Sequence, residues 1–135
     1  MNREQIKQLL LELFGKFSAQ IQFVPALFGE LFSLLKGSGY ESKFLKLFAV
    51  RLQSLVEYGY QVCQQKEFEN IGDGIFSMHL AGEGFNIRIL FGFLPDKTPT
   101  LLLAFYERSG KRKTNYSSYL PVAAQRLKEV LSNNE

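Results

Sequence analysis

The sequence predicts one α+β domain. It should hold a four-stranded, mostly antiparallel sheet with a helical hairpin on one face, a helix before the first strand and another after the last. Three observations predict it. Apolar residues recur at helical spacing over three separate stretches in the first half of the chain. Three strand-like segments then follow one another through short turns between residues 75 and 106. The last stretch returns to helical spacing. A chain of 135 residues, 46% hydrophobic and 21% charged, is long and apolar enough to bury one core. No repeat, low-complexity tract or linker divides it, so residues 1–135 are read as a single domain.

Taken in order, Ile6, Leu9, Leu10, Leu13, Phe14 and Phe17 predict an amphipathic helix over 2–17. "SAQIQFVP" alternates Ile21 and Phe23 with glutamines and stops at Pro25, a short strand with one wet face. "ALFGELFSLL" returns to helical spacing, and "GSG" at 37–39 breaks it. Ser42 is read as the cap of a further helix, with Phe44, Leu45, Phe48, Leu52, Leu55 and Val56 on its buried face. Gly59 ends that helix, since glycine takes the left-handed conformation freely. Residues 61–74 read as irregular. Strands follow at 75–80, 85–93 and 100–106, turned by "AGEG" and "LPDKTP". They should pair antiparallel, with the first strand joining them at an edge or in the middle. The tail "VAAQRLKEVL" is helical, with Pro121 expected in its first turn.

Several function classes lack their signatures. One histidine and one cysteine cannot supply a His- or Cys-rich metal site, and no tight acidic cluster is visible, so no metal is expected. "GSG" lacks the lysine and the preceding strand of a phosphate-binding loop, and no GxSxG occurs, so no cofactor is expected. Cys63 has no cysteine partner and reads as an apolar filler suited to a reducing compartment. Arg3, Glu4, Lys7, Glu12 and Lys16 interrupt every apolar run near the start, which fits neither a signal peptide nor a membrane span.

What remains is a set of cations and rings on the C-terminal half. Arg88 interrupts the apolar strand "FNIRILF" and, by alternation, shares a face with Asn86 and Leu90. A charge there needs either a wet concave face or a carboxylate partner such as Glu107. His79 lies on the neighbouring strand with Ser77 on its side, where the hairpin brings it toward Arg88. Arg108, Lys111, Arg112 and Lys113 follow the last strand, with Tyr116 and Tyr119 close behind. Each has a plain reading: a solvated turn for the cations, helix-start packing for the tyrosines. Together they also suit RNA, because cations neutralise phosphates and aromatic rings stack on unpaired bases.

The order and the segments "IQFVPALFGELFSLL", "GIFSMHLAGEGFNIRILFGF" and "LLLAFYERSGKRKTNYSSYLPVAAQRLKEVL" resemble the RelE/ParE superfamily of type II toxin–antitoxin toxins, in its HigB-like branch. The likeness covers residues 19–131 and leaves 1–17 as an extra N-terminal helix. It implies a RelE-like sheet and a cytoplasmic endoribonuclease that cuts messenger RNA on the ribosome. In such enzymes the substrate's own 2′-hydroxyl attacks the adjacent phosphate, with no metal. It implies a cognate antitoxin as partner, a small helix-turn-helix protein. Carried over, Arg88 matches the strand arginine that binds phosphate. Arg108 or Arg112 matches the basic residue after the last strand, and Tyr116 or Tyr119 the C-terminal tyrosine. Arg88, His79, Arg112, Tyr119 and Tyr116 are the implied catalytic set; Arg108, Lys111, Lys113 and Ser77 would hold RNA. His79 and Ser77 stand where some members carry cations, and His79 offers acid–base chemistry in exchange. That departure keeps two other readings: a ParE-like inhibitor of gyrase, or a degenerate member that only binds its antitoxin.

Overall fold

The computed structural model describes residues 1–108, 110 and 112–133, and of 112–114 the main chain alone. Helix α1 (Arg3–Phe17) opens on a capping box, in which Asn2 and Gln5 exchange side-chain and backbone bonds. Strand β1 is only Gln22–Phe23. Pro25 ends it and begins α2 (Pro25–Leu35), because proline's fixed φ suits the first helical position. Helix α3 spans Glu41–Tyr58 and runs into a 3₁₀ helix over Gly59–Gln64. Then come β2 (Phe68–Gly72), β3 (Ile75–Gly82), β4 (Phe85–Phe93), β5 (Pro99–Tyr106) and α4 (Arg112–Asn133).

The sheet is five-stranded and mixed, in the order β1-β5-β4-β3-β2. β2, β3, β4 and β5 pair antiparallel in succession, and β1 pairs parallel with β5 at one edge. The expected four-stranded sheet is corrected by one strand. β2 lies in the stretch read as irregular and turns into β3 through Asp73 and Gly74, both at positive φ. Two successive positive-φ residues twist a tight hairpin the way its strands twist, which is why Asp-Gly favours such turns.

Two boundaries also move. Helix α3 starts before Ser42: Tyr40 is its cap residue, and Ser38 bonds both the Tyr40 amide and the Glu41 carboxylate. Helix α4 starts well before Pro121, which sits exposed inside it rather than in its first turn. The proline costs the helix one hydrogen bond. Aromatic packing on the sheet holds the preceding turns: the Tyr119 ring stacks on Phe105 at 4.3 Å, and Tyr116 meets the same ring edge-on at 5.9 Å.

Helices cover both faces. α2 packs on β5 and α3 on β3, and α1 lies across α2 and α3 as an outer layer. Phe14 of α1 stacks on Phe23 at 4.2 Å and meets Phe28 edge-on, so its apolar stripe is spent within the domain. Under α2 and α3 lie Met78, Leu80, Ile87 and Ile89, all fully buried, with Phe85 touching Phe44. The opposite face carries α4 over β5, β4 and β3. There Gly92 keeps the contact close: a Cβ would stand 3.0 Å from Leu127 Cδ2 and 3.2 Å from the Gly74 carbonyl oxygen. No helix of the described residues is long and apolar enough to cross a membrane.

Candidate functional site

The α4 face of the sheet is apolar toward Gly92 and polar toward the opposite end. Alternation puts Ser77, His79, Asn86, Arg88, Phe105 and Glu107 on this face, and the register makes His79 the direct neighbour of Arg88. A diagonal line of polar groups therefore crosses β2, β3 and β4, from Glu69 through His79 and Arg88 to Glu107 just past the end of β5. Diagonal neighbours in a sheet lie within reach of long side chains.

Arg88 does not offer an unpaired charge. Its Nη2 donates to Glu107 Oε2 at 2.9 Å, with 11% and 10% of the two side chains exposed. Of the two environments the sequence left open for Arg88, the carboxylate partner is the one present. Asn86 Nδ2 also donates to the Glu107 carboxylate, at 3.4 Å. At the other end Ser77 is fully buried, and its hydroxyl shares a 2.9 Å hydrogen bond with Tyr116 Oη. That bond ties β3 to the first turns of α4.

His79 is half-buried between these pairs. Its amide donates to the Glu67 carbonyl at 2.8 Å, and its carbonyl accepts from Arg51 Nε at 3.0 Å. Burial, then the nearby Arg88 charge, push the imidazole from 6.5 down to about 4. Nε2 stands 3.2 Å from Glu69 Oε2 without hydrogen-bond geometry, and burial together with Arg88 outweighs the pull of the nearby carboxylates. The ring is therefore neutral at neutral pH, the state in which it accepts a proton.

Among the described residues, four buried polar atoms here find no hydrogen-bond partner: His79 Nε2, Asn86 Oδ1, Arg88 Nε and Glu107 Oε1. Native structures leave few such groups, since each costs about 1–3 kcal/mol. Their concentration marks this end of the sheet as the place where polar chemistry outweighs packing. Among the described residues, no three of His, Cys, Asp and Glu gather closely enough to hold a metal ion.

The remaining expected residues lie elsewhere. Arg108 and Tyr119 line a separate cleft of about 1060 Å³ beside β5, with Asn115 and the α2 residues Glu30 and Ser33. Phe105 divides it from the polar line, taking Tyr116 on its edge and Tyr119 on its face. Lys111 lies outside the described residues, and so do the side chains of Arg112 and Lys113. The cations and rings that the sequence groups together thus lie in two places among the described residues: Ser77, His79, Arg88 and Tyr116 in one, Arg108 and Tyr119 in the other.

Sequence reading missed Glu69 and Asn86 as parts of the polar line, and the Glu30–Arg126 pair beside β5. Glu69 was hidden with β2 itself, although Asp73-Gly74 signalled that hairpin. Asn86 was visible by alternation with Arg88. The Glu30–Arg126 pair joins two distant helices, and no local pattern announces it.

Comparison with protein-family models, with curated proteins and with solved structures finds no match to this chain.

Proposed function

We propose that this protein is a toxin of the RelE/ParE type, in the HigB-like branch, that cuts messenger RNA on the ribosome in the cytoplasm and is restrained by an antitoxin. The observation that carries the reading is the gathering of Ser77, His79 and Arg88 on one face of β3 and β4, with Tyr116 of α4 bonded to Ser77. Neutral His79 takes the proton of a ribose 2′-hydroxyl. The resulting alkoxide attacks the adjacent phosphorus, and the bond to the 5′-oxygen breaks. Tyr116, held by Ser77, hands its proton to that departing oxygen. Products are a 2′,3′-cyclic phosphate and a free 5′-hydroxyl, and the proton on His79 returns to Tyr116. Arg88 balances the added negative charge once the phosphate takes the place of Glu107 on its guanidinium.

The neutralised Arg88 favours a second reading. A strand cation already paired with Glu107 suits a toxin that acts by binding a protein, as a gyrase inhibitor or as a member that binds only its antitoxin. Inducing the protein in bacteria and mapping RNA 5′ ends tests the first reading. New ends bearing 5′-hydroxyls within translated codons support it. Intact messages together with blocked supercoiling by purified gyrase replace it with the second. Intact messages, unaffected supercoiling and undisturbed growth leave the member that only binds an antitoxin.

A further inference from the structure

We infer that the cleft beside β5 binds a short, extended segment of a partner protein, which adds to the sheet at Tyr106 and sets a carboxylate on Arg108. The inference is independent of the RNA-cutting reading. β1 pairs with β5 only at Thr100 and Leu101, so among the described residues no strand lies beside the rest of that edge. Two side chains fill the next positions. Arg126 Nη1 donates to the Leu102 carbonyl at 2.8 Å, and Glu30 Oε1 accepts from the Ala104 amide at 3.1 Å. The two are joined by a 2.8 Å ion pair and together answer the main chain as a neighbouring strand would.

Beyond Ala104 that substitute stops. The Glu107 amide donates to the Asn86 carbonyl at 2.8 Å, so Asn86 and Glu107 face each other as a hydrogen-bonded pair. Antiparallel ladders alternate, and the amide and carbonyl of Tyr106 therefore point away from β4, into the cleft. There they present one donor and one acceptor side by side. A peptide unit answers both, whereas a phosphodiester linkage carries acceptors only.

The surroundings select the side chains. Arg108 is exposed and makes no hydrogen bond or ion pair with any described residue. Asn115 adds a buried amide nitrogen with no partner among the described residues, and the nearby Glu30 carboxylate is already neutralised by Arg126. The cleft is thus rich in donors and short of free negative charge. Ala26 and Leu34 supply an apolar wall. An extended segment with one Asp or Glu among β-forming residues fits that combination.

The test is an NMR titration of the full chain with acetyl-Val-Thr-Val-Asp-Val-Thr-amide, its Asp-to-Asn analogue, and two analogues N-methylated at alternate residues. Strand addition uses every second amide. One methylated analogue should therefore bind at least ~10-fold more weakly and the other like the parent, the loss expected from about one or two missing hydrogen bonds. Amide shifts should centre on Tyr106 and Arg108, and both Arg108→Ala and the Asp-to-Asn peptide should weaken binding ~3–10-fold. The proposal is overturned if the peptide leaves those amides unmoved at about 5 mM, well above a weak dissociation constant. Equal behaviour of the two methylated analogues also overturns it. So does a single-stranded oligouridylate that shifts these amides where the peptide does not.

Discussion

Arg88 and Glu107 neutralise each other across two strands, with Nη2 2.9 Å from Oε2 and both side chains about nine-tenths covered. Removing one partner strands a covered charge, whereas removing both does not. Glu107→Ala should therefore cost about 3–5 kcal/mol of stability in urea unfolding, and Arg88→Met combined with Glu107→Leu far less. Equal stability of Glu107→Ala and the parent would show that solvent already screens the pair.

The bond between Ser77 and Tyr116 carries a similar asymmetry. Tyr116→Phe leaves the fully buried Ser77 hydroxyl without this partner and should cost about 1–3 kcal/mol, while Ser77→Ala added to it restores part of the loss. A double-mutant cycle on denaturation midpoints measures the coupling. Zero coupling would detach α4 from β3 at this point.

His79 makes stability depend on pH. In the unfolded chain its imidazole protonates near 6.5, but the folded ring stays neutral down to about 4. Between those values the unfolded state binds the extra proton, so this group's effect is to lower stability as pH falls through the window. His79→Gln should flatten the stability profile there and leave it unchanged above about pH 7, where neither state is protonated. An unaltered slope in the variant assigns the dependence to other groups.

Gly92 lies where α4 comes nearest the sheet. A Cβ would press on Leu127, which can turn aside, and on the Gly74 carbonyl, which belongs to a tight turn and cannot. Gly92→Val should cost about 1–3 kcal/mol by overpacking. A thermal midpoint equal to the parent's would mean that the β2–β3 turn yields.

These relationships differ in how far the sequence discloses them. Helices α1, α2 and α3 are legible because each repeats its apolar residues at one period over several turns. β2 is not, because "FENIG" is short, carries Glu and Asn, and is completed only by pairing with β3. The start of α4 is hidden in a basic, polar stretch whose helical state depends on Tyr116 and Tyr119 finding Phe105. Within the site, alternation alone puts Ser77 beside His79 on one face and Arg88 beside Asn86 on one face. The choice of Glu107 as the partner of Arg88 rests on the β4–β5 register, and a one-residue slip would turn that side chain to the other face. Arg108, the next residue, alternates away from Glu107 and lines the cleft beside β5 instead.

The most direct measurement is the rate at which purified protein cuts a reporter message in a translating extract, with the parent beside His79→Ala and the Arg88→Met/Glu107→Leu double variant. The parent should give cuts ending in 2′,3′-cyclic phosphate. The double variant should lose ~10²–10³-fold, the effect of removing ~2–4 kcal/mol of charge stabilisation at the transition state. An uncut message with the parent, or undiminished cutting by a double variant that folds, would contradict the RNA-cutting reading.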